Sequence, residues 1–342
     1  MTTGVDHGWA PNDRDRGRLR GRLDRLNADA TDTSVAATSA NLRALWRHAT
    51  SDAVRDAGGV RVRGEFVYLS EAAPPGASDR RPPAPEHRPP STRLMARRGI
   101  ALRLMLTALY EAQTRTAPGG RPNNTRPLAN APAGEIAWTG LVATDAQDAL
   151  DGKTVMTKQD KQRRHLGNAL DLLVRAGLVT LPHTTDARNK HRQFQLRMEG
   201  GQRSGTNPLY IVPRAGEETF IVPTRLFTRG WISVLTDAEL AFVLMAAYLS
   251  HTGGPAGFTV TGKTRLLHMG IGPETYEAHR TLSRFGLITV THQPGRAANG
   301  RVADMGGGRQ NPIPDVVHFH PEGLDDDAYA TVTKVLARMV TA

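Results

Sequence analysis

LVRAGLVTL, residues 173–181, returns as LSRFGLITV at residues 282–290. Leu, Arg, Gly, Leu and Thr coincide at five of the nine positions, and the Val/Ile and Leu/Val exchanges keep the aliphatic character. Each copy spells one event: a helix ends, a glycine just past its end takes the left-handed conformation, and a β-branched strand leaves. An apolar helix precedes each copy, ALRLMLTALYEAQ at 101–113 and ELAFVLMAAYLSH at 239–251. Tyr110 lies 67 residues before Gly177, whereas Tyr248 lies 38 before Gly286, so the first unit carries 29 extra residues. Much of the excess fits TAPGGRPNNTRPLANAPAG, residues 116–134, whose Gly, Pro and Asn content is that of a loop.

Working outward, the first unit reads as a helix near 98–114, then a short strand in EIAWTGLVA (135–143). A short helix capped by Thr144 follows, then a longer helix near 158–176 capped by Thr157. LVTLPH and HRQFQLR then form a hairpin around TTDARNK. The second unit repeats the order. It has a helix near 236–250, a strand FTVT (258–261), a short helix KTRLLHM, and a helix from Pro273 to about Phe285. LITVT and DVVHFH flank a Gly/Arg-rich loop, 292–314.

Helix, strand, helix, helix, hairpin is the order of a winged helix. On that order and the repeated helix–Gly–strand junction, the chain resembles the tandem winged-helix DNA-binding proteins. It is closest in layout to plasmid replication initiators, and more generally resembles winged-helix transcription regulators. The resemblance covers roughly 98–198 and 226–320. It implies an α+β, mainly helical fold: two winged-helix domains in tandem, with a small N-terminal module and a C-terminal helix.

The expected divisions are a basic arm (1–32), a helix–strand module (33–72), a Pro-rich linker (73–95), winged helix 1 (96–200), a connector (201–225), winged helix 2 (226–322) and an amphipathic helix (323–342). The arm contains NDRDRGRLRGRLDRLN, with six Arg and three Asp. Leu19, Leu23 and Leu26 sit at helical spacing, but Gly17 and Gly21 weaken a helix, so a frayed basic arm is expected, either touching phosphates or simply a disordered tail. In the module, Val35, Leu42, Leu45, Trp46, Ala49 and Ala53 share a helical face, and Val60, Val62, Phe66 and Tyr68 share a strand face. APPGASDRRPPAPEHRPP (73–90) is too proline-rich for helix or central strand. In the last segment Leu324, Ala328, Val332, Val335, Leu336 and Met339 form an apolar side suited to core packing.

Lys and Arg outnumber Asp and Glu by 44 to 33, a surplus of +11 that favours a polyanionic partner. Nine Lys/Arg against three Asp/Glu fall in 158–197, so +6 of the surplus lies there. In TKQDKQRRHLGNALDLLVRAG, Leu166, Leu170, Leu173 and Val174 are the expected buried stripe. Thr157, Lys161, Arg164 and Asn168 lie opposite, flanked by Lys158 and His165. That arrangement suits a helix whose first turns enter a major groove.

Lys161, Arg164, His165 and Asn168 are the expected base contacts. Arg164 can grip guanine O6 and N7, and Asn168 adenine N6 and N7. Thr157, Lys158, Arg163, and Arg188, Lys190 and Arg192 of the wing are the expected phosphate contacts. The second unit adds Lys263 and a wing with Arg296, Arg301 and Arg309. Its third helix carries Glu274 and Glu277, which phosphate repels, so that unit is expected to assist or to serve a protein interface.

GFTVTGKT, 257–264, matches G-x-x-x-x-G-K-[ST] letter for letter. A phosphate loop needs a strand ending at the first glycine and a helix starting at the lysine. Here Phe, Thr, Val and Thr favour extended backbone between the glycines. His318 and His320 alternate on an expected strand without a third ligand nearby.

There is no cysteine, so disulfides and cysteine metal sites are excluded. MTTGVDHGWAPNDRDRG lacks the apolar stretch of a secretory signal, and no segment is apolar for long enough to span a bilayer. The expectation is a cytoplasmic double-stranded DNA-binding protein, not an enzyme, with no cofactor, no metal and no membrane partner. The expected role is replication initiation for a plasmid or related mobile element. A transcription regulator, a protein-interaction scaffold and, remotely, a P-loop NTPase are the alternatives. A homodimer or another protein partner is assigned to winged helix 2 or the C-terminal helix.

Overall fold

Both copies of the nine-residue echo form the same junction in the computed structural model. Gly177 and Gly286 have φ of 71° and 78°. The Leu178 amide donates to the Leu173 carbonyl at 2.9 Å and the Gly177 amide to Val174 at 2.9 Å. Leu287 and Gly286 donate to Leu282 and Ser283 at 3.0 and 3.1 Å. This is a Schellman cap, closed in each case by a leucine pair, Leu173 with Leu178 and Leu282 with Leu287, all four fully buried.

The structure describes all residues except 1–8, 33, 76–80, 96–98, 145–148, 152–153, 184, 187–188, 202–206, 255, 292–313 and 342. The fold is α+β, about half helical, with small sheets. In the first unit, thirteen of the fifteen residues of the Ala101–Arg115 helix are buried, so it is an internal rod and not a surface helix. After it come a 3-10 turn (Trp138–Gly140), a hairpin of Ala149–Asp151 with Thr154–Met156, the helix Lys158–Arg175, and paired strands Val179–Thr180 and Gln195–Leu196.

The 135–143 segment was expected as a strand and is instead a 3-10 turn, with Trp138 1% exposed and its indole NH on Asn124 Oδ1. Where a short helix was expected after Thr144, residues Ala149–Asp151 are strand. The ladder pairs Ala149 with Met156, Leu150 with Val155 and Asp151 with Thr154, and residues 145–148 of the expected helix lie outside the described residues.

In the second unit the helix Asp237–Gly253 begins at a capping box between Thr236 and Glu239. Phe258–Thr259, helix Gly262–Leu267, helices Pro273–Tyr276 and Ala278–Arg284, and strands Ile288–Thr291 and Val316–Phe319 follow. Val316–Phe319 is the middle strand, antiparallel to Phe258–Thr259 on one side and Ile288–Thr291 on the other. The continuous helix expected from Pro273 to Phe285 is broken at Glu277. The His279 ring takes the Tyr276 carbonyl at 2.6 Å, in place of a backbone amide.

The flanks correct the sequence reading most. The arm expected to be frayed is a helix, Asp13–Asp32, lying against the C-terminal helix Ala328–Thr341. Leu19 and Leu26 are each 8% exposed. Arg22 grips both carboxylate oxygens of Glu239 at 2.8 Å. Packing of the leucine side and this ion pair override the two glycines. The strand Gly59–Arg63 pairs antiparallel with Thr219–Pro223, so the N-terminal module and the connector form one ladder. The end of the Pro-rich segment is packed as well. Pro90, Ser91 and Thr92 are buried in a short helix, and Thr92 Oγ1 donates to the Met269 carbonyl at 3.0 Å. The C-terminal helix buries Ala328, Val332, Leu336 and Met339. Among the described residues no helix is long and apolar enough to cross a membrane.

Glu239 is 3% exposed in its side chain and Arg22 11%. Burial pushes the Glu239 carboxyl up, but Arg22, the Thr281 hydroxyl and the Thr236 amide together hold it below the usual carboxylate range. Arg22→Met leaves that charge buried without its partner and is expected to cost about 3–5 kcal/mol, read from urea unfolding. Arg22→Met with Glu239→Leu is expected to recover most of the loss. A carboxyl held low in the fold stabilises it above the unfolded pKa and loses that contribution as pH falls through the folded value. Stability on acidification below about pH 4 should therefore fall more steeply in the wild type than in Glu239→Gln.

Candidate nucleic-acid interface

The Lys158–Arg175 helix separates its two faces sharply. Thr157 caps it, accepting the Asp160 amide on Oγ1 at 3.2 Å and donating to Asp160 Oδ2 at 2.7 Å. Asp160 in the first turn suits the positive end of the helix dipole. Below, Leu166, Leu170 and Leu173 are fully buried and Ala169 is 5% exposed. Val174, expected in that stripe, is 37% exposed, because it lies about 100° around the helix from the buried Leu173, on the flank of the stripe.

Above, Arg163, Arg164 and Asn168 are exposed, and Lys158, Lys161 and His165 are half-buried. Neither Arg164 nor Asn168 has a side-chain partner among the described residues.

Arg163, Arg164 and Asn168 face a cleft of about 560 Å³. One wall is the helix, through Asp160, Arg163, Arg164, Gly167 and Asn168. The second is Pro127–Asn130 of the inserted loop, and the third is Asn189, His191 and Arg192 of the hairpin loop. The inserted loop turns at Asn130, whose φ is 55°, and its Oδ1 accepts from Gln159 Nε2. Asp171 holds the hairpin loop, receiving Lys190 Nζ at 2.8 Å and bonding His191 Nε2 at 3.0 Å. Burial pushes the Asp171 carboxyl up, but Lys190 and His191 carry it below its ordinary value, so it is ionised at neutral pH. Within the loop, the Asn189 amide bonds Asp186 Oδ1 at 3.2 Å, and Arg192 Nη1 reaches Asn189 Oδ1 at 3.3 Å.

Gly167 sits mid-helix, where glycine costs about 1 kcal/mol against alanine. A Cβ there would stand 3.1 Å from His191 Cε1, so the glycine lets the imidazole lie against the helix.

The structure thus brings Arg163, Arg164, Asn168 and Arg192 to one cleft, while Lys161 and His165, expected as base contacts, are half-buried and do not line it. Thr157 is exposed at the start of the helix, with its hydroxyl engaged as the cap. Lys190 is turned onto Asp171, so it fixes the hairpin loop. Arg188, Arg296, Arg301 and Arg309 lie outside the described residues. Lys263 is exposed in the Gly262–Leu267 helix of the other unit and does not line this cleft. Sequence reasoning missed Gly167, His191 and the Pro127–Asn130 wall. Their signals were a glycine inside a strongly amphipathic helix and the 29 extra residues of the first unit.

The later turns of the second unit's third helix are partly covered by the chain itself. The Trp9 ring lies under Arg280 and Arg284, 5.3 and 5.4 Å from its centroid, and Arg284 Nη2 donates to the Trp9 carbonyl at 2.7 Å. Glu274 and Glu277 are exposed, with Glu277 3.7 Å from Arg280.

In 257–264, Phe258 and Thr259 belong to the ladder with Val317 and Val316, and the Thr264 amide donates to Thr261 Oγ1 at 3.0 Å. Gly257 accommodates the His318 ring, which a Cβ would meet at 2.7 Å. His320 bonds Thr289 Oγ1 at 2.8 Å and Glu322 at 3.1 Å. Among the described residues no group of three His, Asp or Glu is placed to share a metal ion.

No family model matches the chain, and no curated protein or solved structure matches it.

Asp171→Asn removes the charge that holds Lys190 and His191. Trypsin is expected to cut after Lys190 and Arg192 several-fold faster in this variant, with thermal stability lowered by no more than about 1 kcal/mol. Equal cleavage rates would show that the loop is held by something else.

Proposed function

We propose that this protein binds double-stranded DNA through two winged-helix units in tandem, with the Lys158–Arg175 helix of the first unit reading the major groove. The observation that carries the reading is the outer face of that helix. Arg164 and Asn168 project from it unpartnered, Arg163 and Arg192 border it, and three leucines anchor its underside. Arg and Asn are the side chains that match guanine and adenine edges, and cations around them suit phosphates.

The order of the second unit's sheet also supports the reading. A middle strand, Val316–Phe319, flanked by the strand before the short helix and the strand after the third helix, is the arrangement of a winged helix. Trp9 over Arg280 and Arg284 occupies the second unit's third helix, which favours the first unit as the reader. The inserted Pro127–Asn130 wall would then meet the sugar–phosphate edge of the groove that the helix enters.

Replication initiation for a plasmid or related mobile element is the role we favour, on the tandem layout, and transcription regulation is the runner-up. A scaffold reading draws on the exposed Glu274 and Glu277, and would leave the basic face of the first unit without a use. The phosphate-loop reading has little to draw on, because Phe258 and Thr259 are engaged in a ladder where that reading needs an open loop of amides.

A duplex selected from a random pool should bind wild-type protein with an affinity that falls steeply with salt, because phosphate contacts release counterions. Arg164→Ala and Asn168→Ala are each expected to weaken that duplex by about 1–3 kcal/mol and to relax the base preference at one position. Random duplex should bind the variants nearly as well as it binds the wild type. Undiminished selectivity in the double variant would count against this helix as the reader.

A further inference from the structure

The N-terminal helix Asp13–Asp32 has two sides with opposite fates. Leu19 and Leu26 are buried, Leu23 is half-buried, and Arg22 is locked onto Glu239. On the other side Arg14, Arg18 and Arg25 are exposed, and none of them has a hydrogen-bond or ion-pair partner among the described residues. At 3.6 residues per turn the three fall within about 40° of one another, spread over about 16 Å of helix. Arg14 and Arg18 are about 6 Å apart along the axis, and Arg18 and Arg25 about 10 Å.

Beside this row stand Gly17 and Gly21. A Cβ on Gly17 would meet nothing within 4 Å, and one on Gly21 would meet only the far end of Arg25, at 3.7 Å. Each glycine costs about 1 kcal/mol in a helix, and nothing inside the molecule requires either. Glycine in a helix is used where another backbone approaches closely.

We propose that Arg14, Arg18 and Arg25, with Gly17 and Gly21 as the low ground beside them, form a ridge that follows a DNA phosphate backbone. The inference rests on the reading of the protein as a duplex binder and adds a second contact surface, outside both units. The arginines supply a row of cations at spacings a phosphate chain can meet, and the glycines let that chain come close to the helix. An anionic membrane fits less well. A helix that lies on a bilayer needs a free apolar face, and here the leucine side is committed to the protein interior.

The test uses the full chain and a random-sequence duplex. For Arg14→Gln/Arg18→Gln/Arg25→Gln, the slope of log affinity against log salt should fall by about 2–3, since each neutralised phosphate contributes about 0.9. Affinity at low salt should drop at least tenfold, with thermal stability unchanged. Gly17→Gln and Gly21→Gln should hold or raise the melting temperature and yet weaken duplex binding about fivefold or more. A merely structural helix would gain stability and bind as before.

A wild-type slope kept by the triple variant overturns the ridge and leaves the groove-reading helix standing. Absence of salt-dependent duplex binding in the wild type overturns both. Loss of binding to phosphatidylserine vesicles in the triple variant, with duplex binding intact, assigns the ridge to membranes and overturns the proposal.

Discussion

A five-pair ladder between Gly59–Arg63 and Thr219–Pro223 is the constraint on which the arrangement depends. It joins a segment that precedes both repeated units to one that lies between them. On one side, Gln113 of the Ala101–Arg115 helix closes on Arg61, accepting its amide at 3.0 Å and donating to its carbonyl at 2.7 Å. The same side chain donates to the Tyr210 hydroxyl at 2.9 Å. On the other side, Tyr248 of the Asp237–Gly253 helix packs on Phe220 and Tyr68, and Gly64 leaves room for its ring. At the end of the ladder Arg63 bridges Glu199 and Glu217 at 2.8 and 2.6 Å. Glu199 is fully buried, and burial raises its pKa in spite of Arg63. A buried pair of this kind adds little stability against an apolar replacement, and is costly to break by halves. It therefore fixes register more than it adds strength. The internal helices of both units are thereby held against one wall, and the face that each unit can present to a partner is set.

The proposed binding surface follows from how the Lys158–Arg175 helix is held. Its leucines and its Schellman cap tie the lower side to the core, and on the upper side Arg164 and Asn168 have no side-chain partner among the described residues. Asp171 turns two residues of the hairpin loop back onto the helix, which lowers the freedom of a loop that would otherwise lose entropy on binding. The second unit differs at the corresponding helix. Trp9 covers its arginines, and Arg22 binds the Glu239 that also receives the Thr281 hydroxyl of that helix. Two units with the same junction thus have different freedom to meet a partner.

Junctions, caps and amphipathic stripes were legible in the sequence because their physics is local. Gly177 and Gly286, Thr157 as a cap, and the buried leucines of the Lys158–Arg175 helix are all where spacing put them. The parts that were not legible depend on distant partners. Residues 13–32 looked too glycine-rich to hold a helix, and no local rule announces that Arg22 meets Glu239. Residues 219–223 looked like connector because a lone five-residue strand has no meaning until Gly59–Arg63 is beside it. In the candidate site, the exposed cations were readable from helical phase. The turn of Lys190 onto Asp171, and the inserted loop as a wall, were not, since both are settled by tertiary contact.

The central claim is that one face of one helix meets DNA. Amide hydrogen exchange of the full chain, with and without a duplex selected from a random pool, measures it most directly. The account predicts slowed exchange in the first turns of the Lys158–Arg175 helix and in residues 189–192 of the hairpin loop, with the Ala101–Arg115 helix unchanged. Protection confined to the Pro273–Arg284 region, with none in 158–168, would contradict it.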